Sequence, residues 1–260
     1  MRPRYVSVRE LKFSRFYCVL KAYFDESFDA SALCVGGWLC IDYAWKKIED
    51  KWLARIEHER RIAIKHGHRP IERYHAADCA NLKRDFAAKH GWTIKRQIGF
   101  TKKLISIIGE ADLQPIGIVI GMSLKELKLV RPDFDDKELK WWAYRFCMGE
   151  CLDNIGKAVH AWFTDDTVSV IHEASGELNS AALEAFQDMK KSRRSYTHQF
   201  TTLAPGSWKT FPALQPADMI AYEGFKLTSS RKRGEDNLRK SLEKAIGYGV
   251  KIRAGIFNCK

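Results

Sequence analysis

Two strand-like runs near the start of the chain constrain its fold more than any other feature. The first, 16–24, is rich in Tyr, Phe, Val and Leu, and the second, 32–41, is almost wholly apolar. Because only a short polar segment separates them, the two runs predict an antiparallel β-hairpin. Gly36 and Gly37 interrupt the second run, which predicts either a bulge or close backbone packing there.

Beyond this hairpin the chain alternates between strand and helix patterns. Further strands are predicted at 114–122, 166–173 and 200–203. Helices are predicted at 42–64, 92–108, 135–162, 180–193, 216–227 and 237–247. This order predicts an α/β fold with a mixed sheet flanked by helices. We expect one domain over 1–260, with its core at about 18–228 and the helix 237–247 at its C-terminus.

The charge balance favours an anionic partner. The chain carries 44 Lys and Arg against 32 Asp and Glu, a net charge of +12, and such an excess is typical of nucleic-acid-binding proteins. No apolar run approaches the length of a transmembrane helix, so we expect no membrane association. Seven scattered cysteines without a Cys-x-x-Cys predict a reducing cytoplasm rather than disulfides or thiolate-bound zinc.

Acidic side chains fall at the predicted ends of strands and at a helix start. Asp25 and Glu26 end the first strand, Glu173 ends the strand 166–173, and Asp218 lies in the predicted first turn of its helix. Carboxylates at such positions can collect divalent metal ions. Each also has a structural explanation, as a strand-to-turn junction or a favourable charge at a helix start. Adjacent strand residues point to opposite faces, so Asp25 and Glu26 share an ion only if the strand ends or twists there.

A histidine and an acid in the middle of the chain are candidates for proton transfer. His75 and Asp78 have the i,i+3 spacing of one helical face or a tight turn. A histidine near a metal site can handle the proton of the attacking water or of the leaving group. The alternative is that Asp78 only caps the following helix.

Basic residues late in the chain are candidates for phosphate contacts, although such runs are usually solvated faces. Trp208 and Tyr196 lie near them in sequence and would suit base stacking. The candidate nucleic-acid-binding residues are Lys190, Lys191, Arg193, Arg194, Lys209, Arg231, Lys232 and Arg233.

Three segments together resemble family 3800 of the domains of unknown function, found in bacteria and phages. They are the early Asp-Glu-Ser at 25–27, the segment Tyr74-His-Ala-Ala-Asp78, and the late Gln215-Pro-Ala-Asp218. The similarity covers roughly 18–228. The chain departs from many members in having His172 before Glu173, where Asp is common, and Phe28 where Gly often follows the Ser.

The resemblance implies an RNase H-like fold with helical insertions and a metal-dependent nuclease activity, often in phage defence or mobile-element biology. In such enzymes an Asp on the first strand, an acid on a later central strand and an acid in the last helix bind two divalent ions, Mg²⁺ or Mn²⁺. Asp25 matches the first and Asp218 the last. We take Glu173 as the middle acid and Glu26 as a further ligand or a supporting residue.

The expectation is therefore a nuclease that hydrolyses phosphodiester bonds of RNA or DNA. One alternative is a non-catalytic protein of the same fold that binds nucleic acid or a partner. Another is an enzyme acting on a different phosphate substrate, such as a nucleotide. Aromatic-rich helices at 45–52 and 141–162 would fill the core or form an interface, with a second copy or with a partner in a defence system.

Overall fold

Six strands form one sheet in a computed structural model that describes residues 19–163, 166–230 and 252–257. The strands are β1 (Val19–Phe28), β2 (Ala32–Ile41), β3 (Ile116–Ser123), β4 (Thr167–Glu173), β5 (Phe200–Gly206) and β6 (Ile252–Phe257). Their spatial order is β5-β4-β1-β2-β3-β6. The predicted helix 237–247 and the basic residues Arg231, Lys232 and Arg233 lie outside the described residues.

The sheet is mixed, as predicted. The first three strands are antiparallel neighbours, which confirms the N-terminal hairpin. Strand β4 runs parallel to β1, β5 runs parallel to β4, and β6 runs parallel to β3. The expectation of an α/β architecture with a mixed sheet is thus confirmed.

Helices cover both faces of the sheet. They are α1 (Asp42–Lys65), α2 (Ala76–Ala80), α3 (Ile94–Gly109), α4 (Leu124–Val130), α5 (Asp136–Trp162), α6 (Asn179–Lys191) and α7 (Leu214–Ser230). Helices α1 and α7 pack with Tyr23 on one face, whereas α5 and α6 pack with Phe24 on the other. No described helix is both long enough and apolar enough to cross a membrane.

Strand β1 continues four residues beyond the predicted end at Phe24. The antiparallel pairing with β2 extends to Phe28 opposite Leu33, and the Asp29 carboxylate closes the turn by accepting hydrogen bonds from the backbone of the next residues. The parallel pairing with β4, in contrast, stops at Phe24 opposite His172. Asp25 therefore lies inside a strand, but at the edge where the parallel ladder ends.

Helix α7 lies directly on the sheet at Gly36. A Cβ atom there would come within 2.6 Å of the Ala221 backbone nitrogen, whereas the pairing of β2 with both neighbours is regular across this position. Of the two predictions for the glycines, close packing is confirmed at Gly36 and the bulge is wrong. Because α7 begins at Leu214, Asp218 lies one turn inside the helix and not in its first turn. Because the helix dipole acts mainly within the first turn, it does little to explain why an acid lies at Asp218.

Candidate active site

Three of the predicted acids meet on one face of the sheet. The register of β1 and β4 pairs Phe24 with His172, so the next residues, Asp25 and Glu173, are neighbours across the two strands. Side chains alternate along a strand, which places both acids on the face that α7 covers. Gly36, the partner of Asp25 on β2, contacts α7 one turn after Asp218. The fold thus brings Asp25, Glu173 and Asp218 together.

The charges of these acids act on one another. Burial and then the charges of Asp218, Glu26 and Glu173 raise the pKa of Asp25 well above its ordinary value. Burial also raises the pKa of Asp218 and of Glu173, and the charge of Asp218 adds to the effect at Glu173. Asp25 and Glu173 are only half-buried, so the cluster keeps an opening to solvent although protein atoms surround it.

Glu26 lies on the opposite face of β1 because of the strand alternation. Among the charges that raise the pKa of Tyr144 on α5, that of Glu26 has the largest effect after burial, and Tyr144 lies in the core of that face. Burial raises the pKa of Glu26 to about 7; the charge of Glu173 adds to this and a hydrogen bond from Ser175 opposes it. Glu26 is thus close enough to Glu173 to be affected by its charge, but the role of Glu26 as a metal ligand stays a prediction.

Both glutamates, Glu26 and Glu173, have one buried carboxylate oxygen without a hydrogen-bond partner among the described residues. Glu26 Oε2 and Glu173 Oε2 are inaccessible to solvent and accept no hydrogen bond from the described residues. Buried carboxylate oxygens are normally satisfied, since an unpaired one costs free energy. A cation bound among these acids would satisfy them.

The late motif holds the middle motif in place through hydrogen bonds to its backbone. Gln215 Oε1 accepts from the Tyr74 nitrogen at 2.7 Å, and Asp218 Oδ2 accepts from the Ala76 nitrogen at 2.8 Å. The Trp52 indole also approaches Gln215 Oε1, at 3.4 Å. The i,i+3 spacing of Gln215 and Asp218 on the helix therefore matches the spacing of the Tyr74 and Ala76 nitrogens along an extended segment. His75, the residue between these two nitrogens, is thereby held beside the acids.

His75 and Asp78 form a pair near Asp218. His75 Nδ1 lies 3.0 Å from Asp78 Oδ2 and 3.3 Å from the Asp78 nitrogen, so a protonated Nδ1 donates to the carboxylate and a bare Nδ1 accepts from the backbone. The charge of His75 lowers the pKa of Asp218. The alternative in which Asp78 caps the next helix is wrong, because His75 is the cap of α2 and Asp78 lies within that helix.

Arg73 is a site residue that the sequence analysis missed. Its charge lowers the pKa of both Glu173 and Asp218, and its guanidinium lies 5.2 Å from the centre of the Trp208 ring. Its only signal in the sequence is its place two residues before His75. Lys209, a predicted phosphate contact, also lies over Trp208, at 5.6 Å from the ring centre.

The other described basic candidates lie on α6 or just after it. Lys190 donates to the carbonyl oxygens of Thr197 and Phe200 at 2.9 and 3.0 Å, and Arg194 donates to the buried Asp153. These donors already serve the packing of α5, α6 and β5. Lys191 and Arg193 are exposed. The role of this group in binding nucleic acid stays a prediction.

Within the described ranges, no set of three or more His, Cys, Asp or Glu side chains is already arranged to hold a metal ion. No protein-family model matches the sequence, and no curated protein matches it. The positions of the acids, of Arg73 and of the His75–Asp78 pair therefore carry the functional assignment.

Proposed function

We propose that the chain is a metal-dependent nuclease with an RNase H-like fold, which hydrolyses phosphodiester bonds of RNA or DNA with Mg²⁺ or Mn²⁺. One observation carries the proposal: Asp25, Glu173 and Asp218 come from the first strand, a neighbouring central strand and the last described long helix, and they meet on one face. This is the distribution of acids that the resemblance to family 3800 implies.

The chemistry of the donors fits a hard divalent cation. Like-charged carboxylates brought together are costly unless a cation compensates them, and in this site Arg73 and His75 do so only in part. Mg²⁺ prefers carboxylate oxygens, and Glu173 Oε2 is a buried acceptor without a hydrogen-bond partner in the described structure. Asp25, Glu173 and Asp218 would hold the metal, with Glu26 beside Glu173. A bound ion would polarise the phosphate and lower the pKa of the attacking water.

The side chains around the acids have roles of their own. His75, oriented by Asp78, can accept a proton from water or donate one to the leaving oxygen. Arg73 can stabilise the negative charge of the phosphate, because guanidinium groups bind phosphate through charge-assisted hydrogen bonds. Gln215 keeps His75 in position by fixing the backbone of Tyr74.

The alternative is a non-catalytic protein of the same fold that binds nucleic acid or a partner. It is favoured by the absence, within the described ranges, of a side-chain set ready to hold metal. We assign the protein to the cytoplasm, where buried free thiols such as Cys34 and Cys151 stay reduced. A role in phage defence or mobile-element biology, with a second copy or a partner protein, follows from the resemblance and belongs to this proposal.

Substitution of the first or last acid tests the proposal. We expect Asp25→Asn and Asp218→Asn each to slow cleavage by about 1000-fold or more, because loss of a metal ligand removes several kcal/mol of transition-state stabilisation. The assay is cleavage of labelled single-stranded and duplex RNA and DNA with Mg²⁺, Mn²⁺ or EDTA. Asp50→Asn, an exposed acid on α1, is the control and should keep the wild-type rate.

Wild-type cleavage by either site variant would disprove the metal assignment. If the unmodified protein cleaves no substrate under any of these conditions but binds nucleic acid, the non-catalytic alternative replaces the nuclease. Hydrolysis of free nucleotides alone would instead point to a small phosphate substrate.

A further inference from the structure

A cavity of about 490 Å³ is lined in part by Arg73 and His75 of the candidate active site, and we call it the basic pocket. Its lining includes the cations Arg69, Arg73, Arg84 and Lys89, together with Trp208. Asp78 lines it as well, so the pocket shares the His75–Asp78 pair with the candidate active site. None of its four cations belongs to the basic runs that the sequence analysis singled out.

Two of the three acids that line the pocket, Asp78 and Asp85, are paired with its own cations, and the third, Glu72, is exposed. Asp85 lies 2.8 Å from Arg69, and Asp78 lies 3.7 Å from Arg84. The two arginine side chains are 66% and 78% exposed. An ion pair whose cation is largely exposed contributes little to stability, so a phosphate group can replace the carboxylate as the partner of these guanidinium groups at small cost.

Arg73 joins the pocket to the acids. It lines the cavity, it lies over Trp208, and its charge acts on Glu173 and Asp218. Trp208 is half-buried and forms an aromatic wall of the same cavity. Cations that reach phosphates, next to an aromatic side chain on which a base can stack, are the elements of single-strand recognition.

We propose that the basic pocket binds a single-stranded nucleic-acid segment and admits one unpaired nucleotide. Phosphates lie on Arg69, Arg84 and Lys89, a base lies against Trp208, and the next phosphodiester faces the acids through Arg73. The cavity has the volume of a small-molecule site, and a base must leave the duplex stack to enter such a space. The proposal deepens the proposed function and rests on it for the nature of the substrate.

The salt dependence of binding tests this pocket without any cleavage. Affinity of the full chain for a short fluorescent single-stranded oligonucleotide is measured in EDTA over a range of salt concentrations. Each phosphate contact contributes about 0.7 to the slope of log affinity against log salt for single strands. We expect Arg84→Ala to lower the slope by about 0.7 and the affinity about fivefold at 0.1 M salt.

Arg61→Ala is the matched control, because Arg61 is also 78% exposed and paired with an acid, yet it lies on α1 and does not line the pocket. It should leave slope and affinity unchanged. Lys89→Ala, which removes an exposed side chain, should reproduce the effect of Arg84→Ala. Trp208→Ala should weaken binding about tenfold with little change in slope, whereas Trp208→Phe should bind nearly as the wild type does.

Three results would overturn the proposal: an unchanged slope in both cation variants, duplex bound as tightly as single strand, or displacement of the strand by poly-glutamate as readily as by unlabelled oligonucleotide. The last would show that the pocket recognises an acidic protein. Cleavage that needs Asp25 while the pocket variants bind normally would refute the pocket and keep the nuclease. Binding that depends on the pocket residues, without any cleavage, would refute the nuclease and keep the pocket.

Discussion

At the residue scale, the protonation of Glu26 depends on the position of this acid in the fold. It lies on the α5 face of β1, and burial raises its pKa to about 7. An acid with a raised pKa in the folded protein binds protons more tightly there than in the unfolded chain. Ionised Glu26 therefore costs stability, and only a compensating cation or partner would remove the cost.

This raised pKa predicts how stability depends on pH. Between the ordinary value of 4.5 and about 7 the folded state holds a proton on Glu26 that the unfolded state has lost, so the free energy of unfolding falls as pH rises through this window. Glu26→Gln should remove about 2 kcal/mol of this fall, less than the full linkage value because solvent screens a half-buried group. Urea unfolding in EDTA at pH 5 and pH 8 measures it. If the free energy of unfolding fell by the same amount from pH 5 to pH 8 in the variant and in the wild type, the raised pKa of Glu26 would be contradicted.

At the element scale, the site depends on how closely α7 approaches the sheet. Gly36 allows the helix backbone to touch β2 next to Asp25, and this contact sets the height of Asp218 above the strand. Gln215 and Asp218 then tie α7 to the segment that carries His75. Helix, strand and loop are therefore positioned together.

A methyl group at Gly36 should disturb this contact. Its carbon would lie 2.6 Å from the Ala221 nitrogen, and backbone cannot move aside as a side chain can. We expect Gly36→Ala to lower the free energy of unfolding by about 1–3 kcal/mol and to reduce cleavage with it. The measurement is urea unfolding, with Gly149→Ala in α5 as the control.

Gly149 has open space where its Cβ would be, and alanine is favoured over glycine in helices by about 1 kcal/mol. The control should therefore unfold at the same or a higher urea concentration. Equal stability of the Gly36 variant and the wild type would show that α7 does not depend on this contact.

At the scale of the whole molecule, the acids of the candidate site lower the stability of the fold that brings them together. The sheet and two helical layers hold like charges together at the end of the β1–β4 ladder, where binding residues of α/β proteins commonly lie. Such a site costs stability, and if it binds a metal ion as proposed, the ion should restore stability to the fold.

Asp25→Asn should accordingly raise the stability of the metal-free protein, although it should slow cleavage. Without metal at pH 8 the variant should unfold at a higher temperature than the wild type, because one of the repelling charges is gone while the acceptor for the Glu26 nitrogen remains. Added Mn²⁺ should stabilise only the wild type, by about 2.7 kcal/mol at one hundred times its dissociation constant. Thermal melts with EDTA and with Mn²⁺ test this; equal stabilisation of both proteins would place the ion elsewhere.

Much of the architecture could be predicted because its signals are local. The short link between two apolar runs indicated the hairpin, and α5 is found within one residue of its predicted start because Asp135 and Glu138 form a reciprocal cap. The predicted end of β1 at Phe24 was wrong because Asp25 and Glu26 pair with β2 and stay in the strand. The polarity of these two residues does not show that β2 is their partner.

Sequence patterns alone were enough for the α/β class, for the order of the first five strands and the five long described helices, and for the acids worth testing, since apolar periodicity and strand ends are properties of neighbouring residues. They did not predict β6, α2 or α4. Contacts in the folded chain were needed to show which face each acid takes, that Asp218 accepts a hydrogen bond from a nitrogen 142 positions away, and that Arg73, whose charge acts on the acids, also lines a cavity. The tertiary structure also gave Lys190 and Arg194 partners within the protein. The physical reason is that such contacts join segments distant in sequence, and no local pattern encodes them.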